Sequence, residues 1–522
     1  MATRDMAGDS YPPDPSGERV RSVLVVGGGS AGWMAATMLA TELPRGTEVR
    51  LVESEAIGTV GVGEATIPPI KKFNRAIGLD ERAFMKATMG TFKFGVEFRD
   101  WGRPGDRYLH QFGRTGREID PQVKLHHWWL LGRRAGHPDY PAWEDMFVAR
   151  AAARADRFAL PDKDPRSPLG RYTYAYQFDA HLYAGHLRTI AETRGVARVE
   201  GRISAAERAP DTGHVAAVVL KDGRRLEADL FVDCSGFRSL LLGGELGEPF
   251  EDWNRWIPSD RALAVPSERT APLTPYTRAS AHAVGWQWRI PLQHRTGNGH
   301  VFASAFSSES EAEQRLLANL DGKALDTPRL IRFATGMRRR HWVGNVVAVG
   351  LAAGFLEPVE STSIHLVQTT LERLIELFPT RRMDRVLRDR FNALTEQEWV
   401  RVRDFIIAHY HLCRREDSEF WRAMQAMTVP DSLAEVLELW RARGVLAIDG
   451  GHLFQLGSWS SVLIGQHFEP EGVHPLTAAA DPAVIAREIC RIAAEVETAA
   501  HALPPHDEFV AQYCPADLAE AA

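Results

Sequence analysis

Cysteine is scarce in this chain of 522 residues: Cys234, Cys413, Cys490 and Cys514 are the whole complement, with no CxxC pair among them. Thiols so few and so scattered exclude a disulfide-stapled scaffold and a structural zinc site. An HExxH motif is missing as well, so no metal is expected. There is no run of about 18 apolar residues, and hence no membrane span is expected. Excess positive charge is lacking too. The formal net charge is −6, which gives no general attraction to nucleic acid or to an anionic membrane. The opening MATRDMAGDSYPPDPSGER has no apolar core and does not read as a secretory signal. It reads as a flexible tail over 1–19, with the first strand beginning at Val20. These absences point to a globular protein of the reducing cytoplasm, with neither nucleic acid nor membrane as partner.

What the chain does contain is an ordered α/β opening. RSVLVVGGG is a short apolar run that ends in glycines, AGWMAATMLATEL is rich in helix formers, and EVRLVESE is a second strand. That βαβ order predicts a parallel sheet covered by helices. VAAVVLKDG, ADLFVDCSG and NVVAVGLAAG read as further strands, the last two returning to the same sheet from far along the chain. The reading is a Rossmann-like nucleotide-binding core over 20–385, interleaved with substrate-binding segments at about 100–165 and 246–335. A mainly helical substrate-binding or lid region follows over 386–522, where apolar residues recur at helical spacing.

Gly27-Gly28-Gly29-Ser30-Ala31-Gly32 matches GxGxxG between the first strand and the helix. Gly27 permits the turn, Gly29 lets the backbone approach a pyrophosphate, and Gly32 allows helix and strand to pack closely. The helix start at Ser30 and Ala31 offers free N–H groups to phosphate. Glu53 ends the second strand about 20 residues on, where an acid binds ribose hydroxyls. The late strands end at Asp233 with Gly236, and at Gly350, as in FAD-dependent oxidoreductases, so FAD is the expected dinucleotide. No second GxGxxG marks a nicotinamide domain.

GWQWRIP sets Trp286, Trp288, Ile290 and Pro291 in a W-x-W-x-I-P pattern that resembles the signature of the flavin-dependent tryptophan halogenase family. GVGEATIP (61–68), GTFKFGVEF (90–98), FLEPVESTSI (355–364) and DFIIAHYHLCRREDSEFW (404–421) match the family in its own order. The resemblance runs from VVGGGSAGWMAA to the VLIGQ segment. It implies FAD used as FADH2, with O2 and chloride or bromide as co-substrates. It also implies a separate flavin reductase, and a homodimer. By position, Lys93 falls on the family's catalytic lysine, Glu360 on its partner carboxylate, and Thr362 and Ser363 where backbone groups hold the halide. The family has glycine where this chain has Ser363. His110 and Phe112 fall on a pair that packs on the substrate ring. In the family, hypohalous acid travels through the protein to the lysine, and the W-x-W-x-I-P segment keeps substrate away from the flavin.

Each of these residues has a plainer reading when taken alone. Lys93 sits in TFKFGVEF, where alternation would make it a solvated lysine on an amphipathic strand. Glu360 alone is a carboxylate at a helix start, near the expected start at Ser361, and His110 alone is a hydrogen-bonded structural histidine. Trp459 either stacks on an aromatic substrate or fills the core. Family members that take free tryptophan hold its amino-acid end with adjacent tyrosines, yet this chain has no tyrosine between Tyr410 and Tyr513. The candidate substrates are therefore an indole, an indole derivative or a peptide-bound tryptophan. Two other functions fit the cofactor motif: an FAD-dependent aromatic hydroxylase, which needs no special lysine, and a non-catalytic flavoprotein.

Overall fold

A computed structural model describes residues 17–56 and 63–517. Most of the expected tail, and Gly61 and Val62 of GVGEATIP, lie outside the described residues. The first strand, Ser22–Val26, runs parallel between Glu48–Glu53 on one side and Leu230–Asp233 on the other. Flanked in this way, it is apolar along nearly its whole length, as a central parallel strand covered on both faces must be. It starts two residues later than expected. Val20 is buried, but the amides of Arg21 and Ser22 are taken by the Asp229 carboxylate before the ladder begins.

Six strands form this sheet in the order Trp342–Val343, Val346–Ala348, Leu230–Asp233, Ser22–Val26, Glu48–Glu53, Ala197–Glu200. The two late returns thus join the opening βαβ unit as expected, Leu230–Asp233 beside the first strand and Val346–Ala348 outside it. VAAVVLKDG instead lies in a separate antiparallel meander, between Ile203–Arg208 and Arg225–Glu227.

A second, seven-stranded sheet runs in the order Arg329–Arg332, Arg261–Ser267, Thr296–Phe302, Trp286–Pro291, Thr277–Ala281, Gly95–Arg99, Arg107–Gln111. Every residue of Trp286–Pro291 is buried in it. The alternating run TFKFGVEF does not form one strand. Thr91–Lys93 pairs with Ala175–Asp179 in a small sheet, while Gly95–Arg99 joins the seven-stranded one. The break falls at Phe94, whose N–H bonds Pro275, and at Gly95, where a Cβ would lie 2.2 Å from the His110 carbonyl oxygen. This jump between sheets carries Lys93 inward. From Ser363 onward the chain is mostly helical, and its longest helix, Arg385–His411, presents Phe405 and His409 to the interior one turn apart.

Candidate active site

The glycine loop supplies a fitted cradle for a dinucleotide. Gly27 has φ +109°, and a Cβ there would lie 2.3 Å from the Cys234 carbonyl oxygen, so only glycine passes. At Gly32 a Cβ would sit 1.8 Å from the Gly27 carbonyl oxygen, the close approach of helix to strand. At Gly29 a Cβ would meet nothing within 4 Å: the loop is open there, and no side chain caps the helix Ser30–Glu42 that starts beside it. Open space against uncapped helix amides is the chemistry a pyrophosphate requires. Glu53 folds over Gly28, and Arg198 donates to its Oε1 at 2.6 Å, which fixes the carboxylate beside the loop.

Of the two late turns, Gly350 has φ +67° and comes up against Ala31, and Gly236 has φ +71° with open space beside it. Asp233 departs from the expected role of cofactor ligand. Its carboxylate accepts from the Ser235 N–H and hydroxyl and from the amides of Leu241 and Leu242. A side chain so fully used shapes the turn and has nothing left for a ligand.

A second group of residues converges at the segment that follows Gly350. Pro358–Glu360 is a single tight turn that ends at Ser361 with φ +57°, a left-handed conformation uncommon for a side chain other than glycine. This twist points Glu360 and Ser361 inward and delays the next helix to Ser363, two residues beyond the expected start. Lys93 Nζ donates to Ser361 Oγ at 2.8 Å. Lys93 and Glu360 are both fully buried, so the solvated-lysine reading of Lys93 is overturned.

Burial pushes the Lys93 ammonium down to about 7, against the opposing pull of Glu360 and Glu64. Burial alone would raise Glu360, but His110 and His409 reverse that and hold its carboxyl at about 2. His110 Nδ1 lies 2.7 Å from Glu360 Oε2, and His409 Nε2 lies 2.8 Å from Oε1. The centre is therefore a carboxylate gripped on both oxygens, next to a lysine poised to lose its proton.

Aromatic rings enclose this centre. The Lys93 nitrogen stands 5.5 Å from the centroid of Phe112, and the rings of His110 and Phe112 are 6.3 Å apart. Phe454 stacks on Phe405 at 3.9 Å and lies 5.9 Å from His110. Trp459, only 4% exposed, meets Phe405 edge-on. Thr362 and Ser363 sit at the start of the helix Ser363–Glu376, which no side chain caps. Sequence reasoning passed over His409, Phe405 and Phe454. The signals for the first two were their place in the family-like run 404–421 and their spacing of one helical turn there. Phe454 gave none.

A dinucleotide cradle of this kind, tied through one short segment to a buried lysine and carboxylate, defines an FAD-dependent oxidoreductase. The chain belongs to the tryptophan halogenase family, whose sequence model matches residues 22–482. It is 37% identical to the tryptophan 7-halogenase KtzQ of Kutzneria sp. (strain 744) over 461 residues, 84% of this chain and 85% of that protein. Among solved structures it resembles BrvH, a flavin-dependent halogenase from Brevundimonas sp. BAL3, with 43% identity and a TM-score of 0.91. That match covers 95% of this chain and 99% of that one. A flavin-dependent halogenase from Xanthomonas campestris matches at 44% identity and a TM-score of 0.91, covering 96% of this chain and 99% of that one.

The protein is accordingly a flavin-dependent halogenase that uses FADH2, O2 and a halide. Enzymes of this family draw reduced flavin from a separate reductase and act on a small substrate. Among the described residues, no helix is long and apolar enough to cross a membrane.

Proposed function

We propose that the enzyme halogenates the ring of an indole that is not free tryptophan, with Lys93 carrying the halogen to the ring and Glu360 taking the ring proton. The observation behind this reading is the buried contact of Lys93 with Ser361, next to a carboxylate held by two histidines and walled by aromatic rings. Bound FAD, reduced and supplied with O2 and halide, provides the electrophilic halogen as hypohalous acid. The chain's own residues do the rest. Gly29 and the helix start behind it receive the pyrophosphate, and Glu53 the ribose. The backbone of Thr362 and Ser363 holds the halide at an uncapped helix start, where the dipole favours an anion.

With its pKa near 7, Lys93 is part amine at neutral pH. The amine attacks the halogen: an N–X bond forms, the X–O bond breaks, and the ammonium proton leaves with hydroxide as water. The indole carbon then attacks X. The C–X bond forms, the N–X pair returns to nitrogen, and Glu360 removes the ring proton as a positioned base and passes it to that nitrogen, which restores the neutral amine. His110 and Phe112 pack on the ring and, together with Trp459, decide which carbon faces Lys93. The late segment has no tyrosine between Tyr410 and Tyr513 to hold the amino-acid end of free tryptophan, which supports a neutral indole or a peptide-borne one. All four cysteines are free thiols, which suits a cytoplasmic setting.

The test is mass spectrometry of an indole panel that includes free tryptophan, with FAD, a flavin reductase, NADH, O2 and either chloride or bromide. The expected product carries a halogen isotope pattern that vanishes in Lys93→Ala, while FAD binding persists. In Glu360→Gln the rate should fall by about 10²-fold or more. A hydroxylated product without halogen, or free tryptophan as the preferred substrate, would overturn the reading.

A further inference from the structure

His409 reaches Glu360 from the long helix Arg385–His411 and is fully buried. Both of its ring nitrogens face acceptors. Nδ1 lies 2.7 Å from the Phe405 carbonyl oxygen, and Nε2 lies 2.8 Å from Glu360 Oε1. A carbonyl can only accept, so Nδ1 carries hydrogen and donates it. A second hydrogen must then lie between Nε2 and Oε1. When Glu360 is a carboxylate, that hydrogen belongs to His409, and the ring is an imidazolium. Its walls suit a cation: the rings of Phe98, Phe405 and Trp101 stand 4.9, 5.0 and 6.1 Å from it.

We infer that His409 is a positioning residue: its imidazolium is the built-in counter-charge of Glu360, keeping that buried carboxylate anionic and aimed while sparing Lys93 the task of balancing it. This rests on the reading of Lys93 and Glu360 given above.

The groups that face Glu360 are His110 and Tyr108 from the strand Arg107–Gln111, Lys93 from Thr91–Lys93, and His409 from the long helix. Beyond His409 lies Glu357, whose Oε1 accepts from Trp286 and Tyr410. Were Lys93 the only cation beside Glu360, the two would form an ion pair, and the amine needed to attack the halogen would stay protonated. With His409 present, one positive charge is matched to Glu360 and Lys93 can give up its proton. During the reaction the ring C–H pair returns to the indole and the proton goes to a remaining lone pair on Glu360. His409 keeps both hydrogens throughout, and the proton passes from Glu360 to the Lys93 nitrogen, which gave up one hydrogen when the N–X bond formed.

The test compares His409→Leu and His409→Gln with the wild type and with Glu360→Gln, each as the FAD-loaded enzyme. Flavin affinity, melting temperature and the pH profile of halogenation between about pH 5.5 and 9 are measured. Leucine suits the aromatic surroundings, and glutamine can still donate to Glu360, but neither carries charge.

Both His409 variants should bind FAD as the wild type does. Both should lose at least tenfold in kcat at pH 7, with the acid limb of the profile moved up by a pH unit or more. The glutamine variant should keep the wild-type KM. An unshifted acid limb in either folded variant overturns the inference, and if Glu360→Gln has nonetheless lost turnover, the reading of Glu360 as base survives. Wild-type turnover in Glu360→Gln overturns that reading and this inference with it.

Discussion

Lys93 stands near the middle of its titration at neutral pH because burial brings it to about 7. If the amine is the form that attacks the halogen, kcat should climb as pH rises through 7 and level off about one unit above it. A rate that falls over that range would instead make the ammonium, as a hydrogen-bond donor, the working form. The same shift bears on stability. An unfolded lysine binds its proton below about 10.4, whereas folded Lys93 waits until about 7, so stability is lost as pH falls across that window. Lys93→Met removes this cost and fills similar volume. It should be inactive, yet about 1–4 kcal/mol more stable at pH 7, as read by denaturant unfolding; a less stable variant would contradict the assigned burial. None of this shows in TFKFGVEF as a string of letters. Alternation there places Lys93 on a wet face, and only the crossing at Phe94 and Gly95 turns it inward.

The opening strand–loop–helix unit is the part of the fold most open to reading, because its constraints are local. Gly27 and Gly32 answer to atoms within the unit or at the strand end beside it, whereas Gly29 faces open space. Two of them should therefore fail differently. Gly29→Ala puts its Cβ into open space, so it should melt like the wild type but weaken FAD binding about tenfold or more, since the methyl enters the volume a pyrophosphate needs. Gly32→Ala drives a Cβ to 1.8 Å from the Gly27 carbonyl oxygen and should cost about 1–3 kcal/mol of stability as well as affinity. Thermal melts beside flavin titrations separate the two, and equal melting temperatures for both variants would count against the packing role of Gly32. Element boundaries were less legible wherever a side chain or a backbone twist overrode the pattern. Asp229 delays the first strand by capturing two amides, and left-handed Ser361 delays the helix at Ser363.

Across the whole molecule, the pairings that make the centre join residues no local pattern links: Lys93 with Ser361, His110 with Glu360, and His409 with Glu360. The same long-range packing leaves several histidines buried and neutral. Burial lowers His126 and His506 to about 4, and His127, His282 and His341 to about 3. Below an unfolded value near 6.5 the denatured chain takes up protons at these positions and the folded chain does not. Each one then removes about 1.4 kcal/mol of stability per pH unit until its folded value is reached. Three acids oppose this, since burial raises Glu64 and Glu357 to about 7 and Asp156 to about 6. These bind protons in the folded state first, and so add stability as pH falls toward 4.5. The histidines outnumber them, so stability falls on balance as pH drops from about 6 to 5. His341 offers the cleanest check. Neither ring nitrogen has a hydrogen-bond partner, and the ring lies edge-on to Trp399 at 5.2 Å. His341→Phe keeps that aromatic contact and abolishes the titration, so urea unfolding from pH 7 to 5 should show the loss per pH unit reduced by about 1.4 kcal/mol. Parallel curves for variant and wild type would mean that His341 is already protonated in the folded chain, or that hidden water supplies the partners its burial denies.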